Sequence, residues 1–177
     1  MSTQTIAEAY KYCQICGKPN PNPGAIPFKC EHCDFAAFFG PVAAVGGILV
    51  DSQQRALLVR RARDPGKGKW GLPGGFVDPD EEIETALLRE IKEEIGLDVD
   101  HCEYLMSFPN QYNYHGIVAP VIDLFYVCHV EGTPEITLAP DELEHFVWDH
   151  PQTEHLENMA FHSNRVAIER WLSQAAE

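Results

Sequence analysis

Glu90, Glu93 and Glu94 are the residues whose types and spacing could do chemistry in this 177-residue chain. They close a segment that runs from Gly75 through Asp78-Pro79-Asp80-Glu81 to Arg89-Glu90-Ile91-Lys92-Glu93-Glu94-Ile95-Gly96-Leu97. Asp78 before Pro79, with Glu81 three positions on, predicts a helix start. It offers a capping side chain, a proline at the first helical position and a carboxylate that reaches back to the capping N–H. Gly96 supplies the stop. At about 100° per residue, Ile83, Ala86 and Leu87 form an apolar stripe that Glu90 and Glu94 continue, with Glu93 at its edge. The acids are therefore expected to face the protein body. A glutamate-rich helix ordinarily shows its acids to solvent. Here, however, residues 80–94 set Asp80, Glu81, Glu82, Glu84, Glu90, Glu93 and Glu94 against only Arg89 and Lys92. Like charges at i, i+4 destabilise a helix by roughly 0.2–0.5 kcal/mol per pair, so something must compensate. Clustered oxygen ligands without a neighbouring His or Cys suit a hard cation, Mg²⁺ or Mn²⁺, which completes its shell with water and substrate phosphate.

Gly75, Glu81, Arg89, Glu90, Ile91, Glu93, Glu94, Gly96 and Leu97 fill the fixed positions of the box that defines the Nudix hydrolases, and on these residues the chain resembles that family. The resemblance implies an α/β fold, specifically an α/β/α sandwich with a mixed sheet. It also implies divalent-cation dependence and hydrolysis of a nucleoside diphosphate linked to another group. It assigns roles as well: Glu90 and Glu94 as principal metal ligands, Glu93 as a further or water-mediated ligand, Arg89 as the orienter of the acids, Glu81 as its salt-bridge partner, and the Gly75 carbonyl as an added ligand. The approach Lys69-Trp70-Gly71-Leu72-Pro73-Gly74-Gly75 contains glycines that permit backbone close to a ligand. It leads into a strand-loop-helix junction where phosphate would meet exposed N–H groups, with Gly74 as a substrate-binding residue.

Cys13-x₂-Cys16 and Cys30-x₂-Cys33 have the paired spacing of a zinc ribbon, in which two tight turns present four thiolates to one structural Zn²⁺. Gly17-Lys18-Pro19-Asn20-Pro21-Asn22-Pro23-Gly24 between them cannot form a helix, so a metal would supply the folding energy. A domain boundary follows, with a ribbon over residues 1–40 and a hydrolase domain over 41–177. Cys102 and Cys128 lie alone in apolar sequence and read as core or surface thiols. The N-terminus lacks a basic region followed by an apolar one, and no stretch approaches the roughly 20 apolar residues that span a bilayer. A cytoplasmic location without membrane contact is expected. A formal charge of −14 opposes nucleic-acid binding. The ribbon is then a stabilising clip or a dimerisation element, which makes a homodimer one possible assembly.

Past the ribbon, Val42–Val50 and Arg55–Arg61 read as a hairpin of largely buried strands. Arg60, Arg61 and Arg63 then form a local basic cluster, suited either to substrate phosphate or to an exposed strand end. Val99–Phe108 and Val118–Val130 predict two further strands, with Gln111–Gly116 as a connecting loop. His162–Ala175 predicts a closing amphipathic helix that buries Val166, Ile168, Trp171 and Leu172.

Pyrophosphate hydrolysis needs charge neutralisation, an aligned water and a group that takes its proton. The base is one of the three glutamates or an acid from a downstream loop. Asp141-Glu142-Leu143-Glu144 offers such an acid, Glu142 or Glu144. Ribbon plus box is similar to the branch of the family that cleaves NADH, ADP-ribose or FAD. The stretch Ser-Gln-Pro-Trp-Pro-Phe-Pro that marks the NADH group is replaced here by Ser107-Phe108-Pro109-Asn110-Gln111-Tyr112. Phe108, Tyr112 and Tyr114 offer aromatic faces, either for a nucleobase or for packing over a sheet edge. The alternatives to a dinucleotide pyrophosphatase are a non-catalytic nucleotide sensor, or a hydrolase of nucleoside triphosphates or diadenosine polyphosphates.

Overall fold

A computed structural model describes residues 3–175. Its elements run β1 (Gln4–Thr5), α1 (Ile6–Ala9), β2 (Phe28–Lys29), β3 (Ala36–Ala37), β4 (Val42–Val50), β5 (Ala56–Arg61), β6 (Trp70–Gly71), α2 (Ile83–Ile95), β7 (Cys102–Tyr114), β8 (Ile117–His129), β9 (Leu143–Asp149), α3 (Thr153–Glu157) and α4 (His162–Ala175). The chain divides into two compact units, one of Met1–Val42 with Gln111–Val121 and one of Ala43–Asn110 with Ile122–Glu177.

In the larger unit the strands follow the order β8-β4-β5-β6, with β7 beside β8 and β9 beside β5. Successive strand residues point to opposite faces, and both faces are packed. Val45, Leu49, Leu57, Val59, Tyr126 and Cys128 meet Ala86, Leu87, Ile91 and Ile95 of α2. Their neighbours Ile48, Val50, Ala56, Leu58, Phe125 and Val127 meet Ala167, Ile168 and Trp171 of α4. This two-sided burial is why β4 and β5 read as continuous apolar runs, and it makes the unit an α/β/α sandwich. α4 occupies the span expected from its periodicity.

The smaller unit is built around Cys13, Phe28 and Cys30, against which Tyr10, Phe35 and Phe39 pack. β2 and β3 pair antiparallel there. β1 lies parallel to Ile117–Val118 at the tip of the β7–β8 hairpin. Thr5 and Glu8 form a reciprocal capping box at the start of α1.

The structure corrects three sequence expectations. First, α2 begins at Ile83 with Glu82 as its N-cap, one turn later than the Asp78-Pro79 start. Asp80 takes a left-handed φ of 65°, which no helix continues through. The Glu81 carboxylate does accept from the Asp78 N–H at 3.1 Å, but as part of a tight turn before the helix. Second, Gln111–Tyr114 is strand rather than loop. β7 and β8 form one long hairpin, and only His115 and Gly116, at φ 50° and 88°, make the turn, the backbone sign that suits a two-residue connection. Third, Cys102 and Cys128 are not solitary, because a disulfide joins them across β7 and β8. Their separation of 26 residues hides a pairing that only the hairpin register creates. Among the described residues no helix is long and apolar enough to cross a membrane.

Candidate functional site

α2 carries its acids on two different faces. Glu94 is 5% exposed and Ile91 and Ile95 are fully buried, so the helix presents Glu94 inward along with its apolar stripe. Glu90 lies one turn earlier, with a side chain 15% exposed. Glu93, at 62%, points outward. Burial pushes the Glu94 carboxyl up to about 8, partly opposed by the Gly74 N–H that donates to its Oε2 at 2.9 Å, while the charges of Glu90 and Glu142 add to the rise. Burial also raises Glu90, against the pull of Arg89. Two carboxylates one turn apart, both costly to ionise where they stand, form a donor set that fits a divalent cation.

Arg89 organises the rest of the box. Its Nε and Nη2 donate to the two oxygens of Glu81, both at 2.9 Å, in a bidentate fork. Nη1 donates to Glu90 at 2.8 Å and to Glu93 at 3.3 Å, and Nη2 also reaches the Phe76 carbonyl at 3.2 Å. The guanidinium, with the Asp78 N–H, holds Glu81 down at about 2, and Glu81 and Glu90 together hold Arg89 well above its ordinary value.

The glycines before α2 fit against these acids. A Cβ on Gly75 would stand 2.5 Å from the carboxyl carbon of Glu90. A Cβ on Gly74, at φ 146°, would overlap the Val45 carbonyl oxygen. The Gly75 carbonyl accepts from the Val45 N–H at 2.8 Å, which ties the turn to β4 and leaves its second lone pair.

The segment after β8 returns to the C-terminal end of α2. Thr137 donates its N–H to the Ile95 carbonyl and Ala139 donates to the Glu94 carbonyl, at 3.1 and 2.9 Å. Ala139 in turn accepts from the N–H groups of Glu142 and Leu143 at 3.0 and 2.9 Å. Glu142 is thereby tethered through two backbone hydrogen bonds to Glu94, the most buried acid of α2. The β5–β9 ladder shifts between Arg60, opposite His145, and Arg61, opposite Leu143. Glu144 is the extra residue of that bulge and is exposed. Of the two downstream acids, Glu142 is the one whose charge reaches Glu90 and Glu94.

The arginines divide as well. The guanidinium carbon of Arg60 sits 4.6 Å from the ring centroid of Trp70, a residue of the α4-side core, and the buried Arg60 Nε has no hydrogen-bond partner among the described residues. Arg61 donates to the Pro65 carbonyl at 2.7 Å, stacks over Phe161 at 5.2 Å, and lowers Glu94 through its charge. Phe108 packs edge-on against His162, so its ring belongs to the α4 side of the sheet. Tyr112 and Tyr114 lie in the smaller unit, where Tyr114 meets His115 edge-on and is 65% exposed.

Cys13, Cys16, Cys30 and Cys33 converge, with their sulfurs within 4.8 Å of one another. Cys13 and Cys33 stand 3.7 Å apart and Cys16 and Cys30 3.6 Å. The Cys16 N–H draws the Cys13 thiol down to about 7. The Phe35 N–H draws Cys33 down too, but burial and the three neighbouring sulfurs outweigh it and push Cys33 up to about 12. Four thiolates in one place need a cation, and this set could hold a metal ion.

A sandwich with a carboxylate helix behind a glycine turn defines a class of protein. The model of the NUDIX domain family matches residues 40–170, and the chain belongs to that family. It is similar to the ADP-ribose pyrophosphatase of Methanocaldococcus jannaschii, at 44% identity over 36% of this chain and 37% of that protein. It is also similar to the NAD-capped RNA hydrolase NudC of Stutzerimonas stutzeri, at 25% identity over 95% of this chain and 56% of that one. The chain thus spans 37% and 56% of the length of these two curated relatives. Among solved structures, a MutT NUDIX hydrolase from Burkholderia pseudomallei superposes with a TM-score of 0.61 at 32% identity, covering 74% of this chain and 98% of that one.

Proposed function

We propose that the chain is a divalent-cation-dependent pyrophosphohydrolase that cleaves the diphosphate linkage of a substrate such as ADP-ribose, FAD or NAD(H). The observation that carries this is the buried Glu94 one turn beyond Glu90, its carboxylate held by the Gly74 N–H at the end of the glycine turn. The names of the similar pyrophosphatase and NAD-cap hydrolase favour two-ended nucleotides over triphosphates. A net charge of −14 favours a small substrate over nucleic-acid backbone.

Mg²⁺ or Mn²⁺ would be held by Glu90 and Glu94, with Glu93 and the Gly75 carbonyl as further donors. When bound, the cation neutralises diphosphate oxygens and makes a water more acidic. Arg89 fixes Glu90 and Glu93, Glu81 fixes Arg89, and the Gly74 N–H orients Glu94. Glu142, outside the helix but tethered to it, takes the proton of the attacking water, and Arg61 faces the negative charge of the substrate. In the smaller unit, residues 1–40 form a module organised by one structural Zn²⁺ on the four cysteines, ahead of a hydrolase domain over 41–177.

The test is phosphate release, coupled through a phosphatase, from ADP-ribose, FAD, NADH, an NAD-capped oligonucleotide and 8-oxo-dGTP, each with Mg²⁺ or Mn²⁺. AMP is expected from the adenine dinucleotides. Efficient cleavage of 8-oxo-dGTP with none of the others touched would overturn the substrate class, and silence on the whole panel would overturn the enzyme.

A further inference from the structure

We infer that Arg63 is the positioning residue of Glu142, holding its carboxylate at the acid cluster while Ala62 holds its backbone. The inference rests on the function proposed above, in which Glu142 takes the proton of the attacking water.

Glu142 is gripped by adjacent residues of one loop. The Ala62 N–H donates to its carbonyl at 2.7 Å, and the Arg63 guanidinium meets its carboxylate at 2.8 Å. On the other side, its own N–H is fixed to Ala139, and through Ala139 to the backbone of Glu94. Main chain therefore sets where the residue stands, and Arg63 alone among these contacts acts on the reacting oxygens. The other arginines near the acids have different carboxylate or carbonyl partners: Arg89 donates to Glu81, Glu90 and Glu93, and Arg61 to the Pro65 carbonyl. The loop is built to deliver this grip. Residue 61 closes β5, Gly68 returns its N–H to the Arg61 carbonyl at 2.8 Å, and the Asp64 side chain accepts from the Lys67 N–H at 3.3 Å. The Arg63 side chain is 58% exposed and that of Glu142 36%, so the pair lies open to solvent and substrate. An exposed pair of this kind contributes little to stability, so its removal should be read in catalysis.

The experiment compares Arg63→Gln, Arg63→Lys, Glu142→Gln and the Arg63→Gln/Glu142→Gln double variant with wild type, using whichever of ADP-ribose, FAD and NADH is turned over fastest with Mg²⁺. Arg63→Gln should lower kcat about 10-fold with KM changed less than about threefold, and should move the acidic limb of the kcat–pH profile to higher pH. Arg63→Lys should recover most of the loss by restoring the charge. In the Glu142→Gln background, Arg63→Gln should change kcat less than about twofold. Melting temperatures should match wild type throughout. A rise in KM with kcat intact would make Arg63 a substrate contact instead. An unchanged kcat, or additive losses in the double variant, would sink the assignment while leaving the hydrolase standing. A wild-type protein silent on all three substrates would remove the substrate class proposed above and this assignment with it.

Discussion

At the scale of single residues, the site depends on carboxylates placed where ionisation is unfavourable without a partner. Glu94→Gln imitates the neutral form that burial favours, and its amide oxygen can still accept from the Gly74 N–H. The variant is expected to fold and melt as wild type does in the absence of metal, and to lose about 10³-fold in kcat. Near-normal turnover at saturating Mg²⁺ would remove Glu94 from the metal set. Glu81 behaves in the opposite sense, since Arg89 holds it down to about 2. Its contribution to stability is present above the unfolded value of about 4.3 and is lost as pH falls from there through about 2. Urea denaturation should therefore show Glu81→Gln less stable than wild type at pH 6, with the gap closing toward pH 2. A gap that widens on acidification would contradict the Arg89 fork as its cause. The inward placement of Glu90 and Glu94 was legible in the sequence because helical periodicity fixes direction. Which of Glu142 and Glu144 lies nearer these acids was not, because a bulge sets it and nothing in four mixed residues announces a bulge.

At the scale of elements, the turn before α2 places two adjacent glycines under different constraints. Gly75→Ala should put a methyl against the Glu90 carboxyl group, at an ordinary φ, and displace a side chain that has room to move. Activity is expected to fall about 10²-fold with little change in melting temperature. Gly74→Ala would meet the Val45 carbonyl of β4, which cannot yield, at a φ of 146°. It should cost about 2 kcal/mol or more of stability. Thermal melts and kcat for the two variants check the pair, and equal effects on both quantities would refute the distinction. The strands β4 and β5 and the helix α4 followed from periodicity because both faces of the sheet are covered. The start of α2 did not, because Asp78-Pro79-Asp80-Glu81 carries helix-start chemistry that is spent on a turn with Asp80 left-handed. The Gln111–Tyr114 extension of β7 was missed although Tyr112 and Tyr114 alternate with Gln111 and Asn113, because the turn formers Pro109, Asn110 and Asn113 favour a loop reading.

At the scale of the whole molecule, the apolar cluster around the cysteines is, among the described residues, Cys13, Phe28 and Cys30 with Tyr10, Phe35, Ala37 and Phe39 against it, too small to fold unaided. Purified protein is expected to contain one zinc per chain. Its removal by a strong chelator should abolish hydrogen-exchange protection around Phe28–Lys29 and Ala36–Ala37 while the amides of β4 and β5 stay protected. Simultaneous loss of protection in both units, or zinc-free protein with an ordered ribbon, would be the contrary result. The paired cysteine spacing made this module visible at once. What spacing could not convey is that the module is discontinuous, for β1 takes its strand partner from Ile117–Val118, more than a hundred residues downstream. A ribosome delivers these cysteines before Ile117–Val118, so the β1 pairing must wait until the hairpin tip has emerged. A fragment cut near residue 40 keeps the four thiols together but leaves β1 without the strand that pairs with it. The cysteine module is thus synthesised before the hairpin strand that β1 pairs with, and a graft of residues 3–40 alone would leave the Gln4–Thr5 edge without its partner.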